Sequence, residues 1–332
     1  MINAEWIYWL SGLFFLVVGV QIAADPKHSK RWTNAAFWVL LGIAFFYGSF
    51  IPGKSGASPL GPVLPAWPLG IMVIAMALIA GLGLTSKGEV STTTEAERES
   101  FADRYGSKLF IPALTIPLVT VIIAVGIAQI DLGGGKTLFA EGTETISGLV
   151  IGAVVALAVA FVLLRVKQPS APIHEGRRLL ESIGWAVLLP QMLSTLGTLF
   201  TKSGVGTIVG DASHALVPDG NRLMAVIVYA LGMFVFTVIM GNAFAAFPIM
   251  TAAIGWPVLV QQLGADPAPT FAIAMLAGFC GTLVTPMAAN FNLVPAALLE
   301  MKDQYGPIKA QLPTALVMLV VNTGFLAVFP WL

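Results

Sequence analysis

Charge is scarce in this sequence, and the scarcity decides its class. Only 10% of the 332 residues are Asp, Glu, Lys or Arg, whereas a soluble globular protein carries about a quarter. Too little polar surface is available to face water on every side. The 17 basic and 17 acidic residues balance to a formal net charge of +0, so no global field draws in nucleic acid or another polyanion. Cysteine is nearly missing. Cys280 stands alone, which excludes an intrachain disulfide and any CxxC metal or redox pair. No lysine or arginine precedes the first apolar run, so that run reads as a retained helix and not as a cleaved signal peptide. The apolar runs hold no HExxH, no paired carboxylates and no Ser–His arrangement, which argues against an intramembrane enzyme. No Walker sequence is present either, so any ATP dependence would have to come from another chain.

What the sequence has in quantity is apolar length. It is 57% hydrophobic, with a mean hydropathy of +0.87. Runs of roughly 17–25 apolar residues are the mark of a membrane-spanning helix. Five fall in the first half, at residues 6–23, 33–51, 63–84, 109–130 and 146–166. Four more follow at 223–240, 243–263, 269–284 and 312–331. The expected fold is an all-α polytopic membrane protein of about nine spans. A five-helix region over 1–178 precedes a differently built half over 179–332. The longest polar connector, 85–108, carries Glu89, Glu97, Arg98, Asp103 and Arg104 and reads as a solvated loop with a surface helix. The glycine-rich 131–136 lacks the P-loop spacing and reads as a tight turn.

Basic residues follow the first, third and fifth spans: Lys27, Lys30 and Arg31, then Lys87, Arg98, Arg104 and Lys108, then Arg165, Lys167, Arg177 and Arg178. The other loops hold little beyond Lys54 and Lys136. The positive-inside rule then places the N-terminus outside a bacterial-type inner membrane. His28, His174 and His214 lie far apart in sequence, so no metal cluster is expected.

The second half is interrupted. Residues 183–200 are apolar but carry Gln191, Ser194, Thr195 and Thr198, with Pro190 and Gly197 among them, and run into Ser203-Gly204. Such a stretch fits a re-entrant hairpin; it also fits a span followed by a surface helix. Lys202 beside it either snorkels to the interface or meets an anionic substrate.

Two breaks then fall inside apolar helix, one at Gly241-Asn242-Ala243 and one at Thr285-Pro286 with Asn290 and Asn292 just beyond. Lipid satisfies no bare N–H or C=O, so irregular backbone at that depth is buried in protein or lines a wet cavity. Two adjacent breaks are a sequence pointer to a transporter's binding site. Helix-end carbonyls and neutral oxygens suit Na⁺, and half-helix N-termini attract a carboxylate. The expected substrate or ion site is Gly241, Asn242, Ala243, Thr282, Thr285, Pro286, Asn290 and Asn292, flanked by the hairpin residues Gln191, Ser194, Thr195, Thr198, Ser203 and Gly204. No Asp or Glu flanks either break, Glu300 being the nearest. A neutral site favours Na⁺ coupling or a directly bound anion over a proton relay. The competing reading is a scaffold, with Asn and Thr serving as packing glue.

The order Leu189-Pro190-Gln191-Met192, Met240-Gly241-Asn242-Ala243-Phe244, and Gly281-Thr282-Leu283-Val284-Thr285-Pro286-Met287 through Asn290-Phe291-Asn292 resembles the integral membrane family catalogued as domain of unknown function nine-seven-nine. That resemblance implies a smaller membrane partner, from the family catalogued as domain of unknown function nine-six-nine, and import of 5-oxoproline (pyroglutamate) by the pair. The second half also resembles, more remotely, one repeat of the ion transporter superfamily. There a Ser-Asn-Thr break binds Na⁺ and carboxylate; Asn242 matches its asparagine, and the flanking Ser and Thr are not matched. Only the second half carries such breaks, so a complete site is expected to need a second subunit.

Overall fold

In lipid, every main-chain N–H and C=O must find its partner within the protein, and a helix does this within one segment. The computed structural model describes residues 3–51, 63–88, 94–130, 137–140, 142–166, 168–218 and 220–332, and among them regular structure is helical. Lys54, Glu89, the glycine-rich 131–136, Lys167 and Asp219 lie outside the described residues, as does the side chain of His214. The chain divides into two compact units, Met1–Glu181 and Ser182–Leu332.

The first unit holds α1 (Ala4–Ala23), α2 (Arg31–Gly48), α3 (Trp67–Gly81), α4 (Glu95–Tyr105), α5 (Phe110–Val121), α6 (Glu144–Leu164) and most of α7 (Ala171–Ile183). Small residues let its helices approach. A Cβ at Gly12 would stand 3.0 Å from the Gly42 carbonyl oxygen, and one at Gly42 would stand 2.8 Å from that of Gly12. Such close main-chain contact is how helices associate in lipid, where apolar burial gives no drive. Beside it Phe15 stacks on the buried Trp38 at 5.9 Å. Gly152 of α6 likewise abuts the Ile116 main chain of α5. The helix in the 85–108 connector is α4, and its start is a capping box between Thr94 and Glu97. Beyond α5, which contains Pro117, the helix widens into a π turn (Ile122–Gly126) and ends in a 3₁₀ turn (Ile127–Gln129).

In the second unit a 3₁₀ turn (Gly184–Leu188) leads into α8 (Leu189–Lys202), followed by α9 (Val205–Leu216), α10 (Arg222–Met240) and α11 (Ala243–Met250). The last of these continues as a π-helix over Thr251–Gln262, with Pro257 inside it. Then come α12 (Pro267–Thr282), α13 (Ala289–Leu298) and α14 (Gly306–Val328). The core lies where α10, α12 and α14 meet, with Tyr229, Met233, Ala274 and Leu326 fully buried. Cys280 is part of that packing; its Sγ accepts from Asn322 Nδ2 at 3.6 Å.

By length and composition, seven helical stretches among the described residues can cross a membrane, and two shorter apolar helices, Trp67–Gly81 and Pro267–Thr282, add to them. Their outer faces are apolar: Leu114, Leu118, Val125, Val162 and Val320 are all exposed, as lipid-facing residues are. The chain is a multi-pass all-α membrane protein. Element ends shift from expectation by a few residues. The largest shift is at α14, which begins at Gly306 and takes in Lys309, because Pro307 at its start needs no N–H partner.

Candidate functional site

The first break forms because Gly241 accepts a left-handed conformation, φ +68°, that ends α10. Asn242 then caps α11: its Oδ1 accepts from the Phe244 N–H at 2.9 Å, satisfying one of the orphan donors of the first turn. The Ala245 and Ala246 amides turn back to the Asn242 carbonyl at 3.2 Å each. Two kinds of donor remain. The Asn242 Nδ2 group and the Asn242 and Ala243 main-chain amides have no acceptor among the described residues. They stand at the positive end of a helix.

The second break is held by side chains. Asn292, fully buried, donates both Nδ2 protons to main-chain carbonyls across the gap, to Thr282 at 2.8 Å and Thr285 at 2.7 Å. That leaves its Oδ1 buried without a partner among the described residues, as is Thr237 Oγ1. Thr285 Oγ1 donates to the Val238 carbonyl in the last turn of α10 at 2.8 Å, so it ties one break to the other. It also accepts from the Met287 N–H at 3.2 Å.

Three cavities follow α11 from end to end. The first, of about 130 Å³, is lined by Gly241, Asn242, Ala243, Thr282, Met287 and Asn290 among others. The second, about 240 Å³, shares Asn242 and Phe244 with it and adds Ser194, Thr198 and Thr201 from α8. The third, about 400 Å³, shares Thr201 and Pro248 with the second and reaches Gly204, Thr207 and Asp211. Together they make one groove between the hairpin and the broken helix.

The expected site residues therefore divide. Gly241, Asn242, Ala243, Thr282 and Asn290 line the first cavity, Ser194 and Thr198 the second, and Gly204 the third. Thr285 and Asn292 are braces that donate to main-chain carbonyls. Pro286 is exposed at the turn. Gln191 and Thr195 do not line these cavities: the Thr195 hydroxyl donates back to the Gln191 carbonyl at 3.0 Å. Ser203 spends its hydroxyl in the same way on Leu199 at 2.7 Å. Of the two polar groups of the Asn242 side chain, Oδ1 is committed to capping α11, and what remains is the amide donor. One expectation needs correction: the site was to be neutral, yet Asp211 lines the groove. It is missed in sequence because it lies thirty positions from Gly241 and reaches the groove only through the hairpin.

Gly204, at φ +74°, turns the chain between α8 and α9. α8 is also the end of the apolar helical stretch Ala171–Lys202, which is long enough to cross a membrane, so the helix–turn–helix fits both a re-entrant hairpin and a span followed by a surface helix. Lys202 is exposed at the end of α8, outside the three cavities. No group of three or more His, Cys, Asp or Glu among the described residues is arranged to hold a metal ion.

Comparison with known proteins places the chain. The Bacillus subtilis (strain 168) protein named "Putative amino acid transporter YuiF" is 26% identical over 204 residues. That stretch covers 61% of this chain and 45% of that protein, so less than half of the relative's length is matched. Among solved structures, that of the Alcanivorax borkumensis YdaH transporter, described as having an unusual topology, aligns with 98% of this chain and 85% of its own. The likeness is slight, with 14% identity and a TM-score of 0.34. The family model described as "Protein of unknown function (DUF979)" matches residues 5–331, and the chain belongs to that family.

Proposed function

We propose that this chain is the larger subunit of a secondary transporter for a small carboxylate, 5-oxoproline being the first candidate, and that it works with a second, smaller membrane subunit. The chain acts as a carrier and not as an enzyme, with Na⁺ as the coupling ion. One observation carries the reading: the unspent donors of Asn242 and Ala243, at the positive end of α11, open onto a cavity where a spanning helix has stopped. An N-terminus of this kind carries roughly half a positive charge and is a ready site for a carboxylate. A relative named as an amino acid transporter supports a small solute with such a group. The broken helices belong to the second unit, where α10 stops at Gly241 and α12 at Thr282; a site closed on both sides calls for a matching half from another chain.

The test is uptake of labelled pyroglutamate by cells expressing this chain alone, the chain with a partner of the nine-six-nine family, and the pair carrying Asn242→Ala, each with and without Na⁺. Uptake by the pair alone, Na⁺-dependent and lost in Asn242→Ala while the complex still assembles, is the expected result. Unchanged uptake in Asn242→Ala would sink the site assignment. Uptake by the single chain would remove the need for a partner.

A further inference from the structure

The third cavity has a chemistry opposite to the first. Its lining residues include Asp211, Thr201 and Thr207, and no Lys, Arg, His, Asn or Gln. Two of the other lining residues are Pro248 and Pro257, which have no N–H to offer. Pro257 lies in the π-helix, where bonds run to the carbonyl five residues earlier, so the carbonyl of Ala252, another lining residue, loses its helical donor. The α9 main chain meets α11 and its π extension closely at two glycines one turn apart. Ideal Cβ atoms at Gly206 and Gly210 would lie 3.7 Å from the Ile249 carbonyl oxygen and 3.4 Å from that of Ala253. Thr201 donates its proton to the Gly197 carbonyl at 3.0 Å, which leaves only lone pairs for the cavity. The Asp211 carboxylate makes no hydrogen bond or ion pair with another described residue.

We propose that this cavity is a binding site for a small monovalent metal cation of the Na⁺ class, with Asp211 as its charged ligand and Thr201, Thr207 and main-chain carbonyls as neutral ones. Hard cations take oxygen ligands, and a pocket lined by an acidic residue and threonines, with no cationic or amide side chain, selects positive charge. A proton would need the carboxylate alone; the surrounding hydroxyls and carbonyls are the ligands of an ion. The cation is also a separate particle from the anion. Ten residues of helix, from Ala243 to Ala253, separate the donor end of the groove from this one by about 15 Å, too far for one small amino acid to bridge. The groove is therefore bipolar, with an anion end at Asn242 and a cation end at Asp211. The inference deepens the carrier reading and rests on it only for the meaning of the ion, which would move with the carboxylate.

Direct binding of radiolabelled Na⁺ tests it, on the full chain with its partner in lipid nanodiscs and with no carboxylate added. Wild type is expected to bind saturably, with displacement by unlabelled Na⁺ and not by choline. Asp211→Asn should weaken binding by about tenfold or more, in the range seen when metal-site groups are removed. Asp303→Asn, a change in an exposed loop, should leave it unaltered. If Asp211→Asn fails to fold, the Thr201→Val, Thr207→Val pair reads the same site with the carboxylate kept, and unweakened binding there overturns the proposal. Absence of saturable Na⁺ binding in wild type, or proton uptake in its place, overturns it too. Because no carboxylate is present, the outcome is independent of the substrate. Na⁺ binding lost in Asp211→Asn, beside absent pyroglutamate uptake, would keep the cation site and remove the substrate assignment.

Discussion

Gly241 lies so close to the Met287 main chain that a Cβ at position 241 would stand 2.6 Å from both the Met287 carbonyl carbon and oxygen. The two helix breaks therefore meet backbone against backbone, and Gly241 is required twice, for that approach and for its φ of +68°. The left-handed conformation alone costs a residue with a side chain about 1–2 kcal/mol, and main chain cannot swing away as a side-chain tip can. Gly241→Ala is expected to lower the thermal midpoint of the purified protein markedly. Gly232→Ala is the control, since its Cβ meets only the flexible end of Met250, and it should shift the midpoint little. Equal effects would show that the two breaks are not in rigid contact.

Asn290 and Asn292 are two positions apart in sequence and differ in role. Asn292 bonds two carbonyls across the second break from a fully buried position, whereas Asn290 is exposed and faces the first cavity. Removing the Asn292 amide leaves those carbonyls unsatisfied, at about 1–3 kcal/mol for each buried group. Asn292→Leu is therefore expected to fold poorly, with a low yield of monodisperse protein. Asn290→Ala should fold as wild type and change only solute affinity. Fluorescence-detected size exclusion on the two variants, followed by uptake, separates the roles; a well-folded Asn292→Leu would refute the bracing assignment.

How much of this was legible in the sequence follows from the range of the forces involved. Gly241-Asn242 and Thr285-Pro286 announce breaks because left-handed glycine, capping asparagine and proline act on their own few residues. The polar pair Ser194 and Thr198 is also local, since its spacing places it on one face of α8; Thr201, one turn further on the same face, is missed. Asp211 was not legible. It reaches the groove because Gly206 and Gly210 let α9 lie against carbonyls of α11 and its π extension, a pairing that no local pattern encodes. The same holds for Arg177. Its sequence neighbourhood reads as a charged loop, yet it is buried on α7 and bonded to Asp25, 152 positions away.

That Arg177 cluster makes a further prediction. Arg177 donates to Glu181 at 2.8 Å and to Asp25 at 2.7 Å, and the Gly88 amide gives Glu181 a second bond at 2.7 Å. Glu181 has no exposed side-chain surface, so Arg177→Met strands a buried carboxylate, at about 3–5 kcal/mol. Asp25 lies nearer the surface, and Asp25→Asn should cost far less. The Arg177 guanidinium beside Asp25 holds its carboxyl below the usual carboxylate range. A lowered folded-state value means the pair stabilises fully above the unfolded Asp pKa of about 4 and loses its effect as pH falls through the folded value. The gap in thermal midpoint between wild type and Asp25→Asn should narrow as pH drops through that window. A gap that widens there would contradict the pairing.

Asn242 carries two functions that substitution can pull apart. Its oxygen caps α11, and its amide nitrogen has no acceptor among the described residues where Asn242 lines two cavities. Serine keeps a capping oxygen and removes the amide, so Asn242→Ser should hold folding stability within about 1 kcal/mol of wild type while raising the KM for carboxylate uptake. Aspartate caps at least as well, and its charge favours the helix N-terminus by about 0.3–1 kcal/mol. The same charge stands where the substrate carboxylate is held, and like charges at that distance repel. Asn242→Asp is thus expected to be as stable as wild type, or more so, and inactive. An unfolding defect lowers stability and activity together, so opposite movements assign the loss to the site. If Asn242→Asp transported as well as wild type, the donor end of the groove would not be where the anion binds.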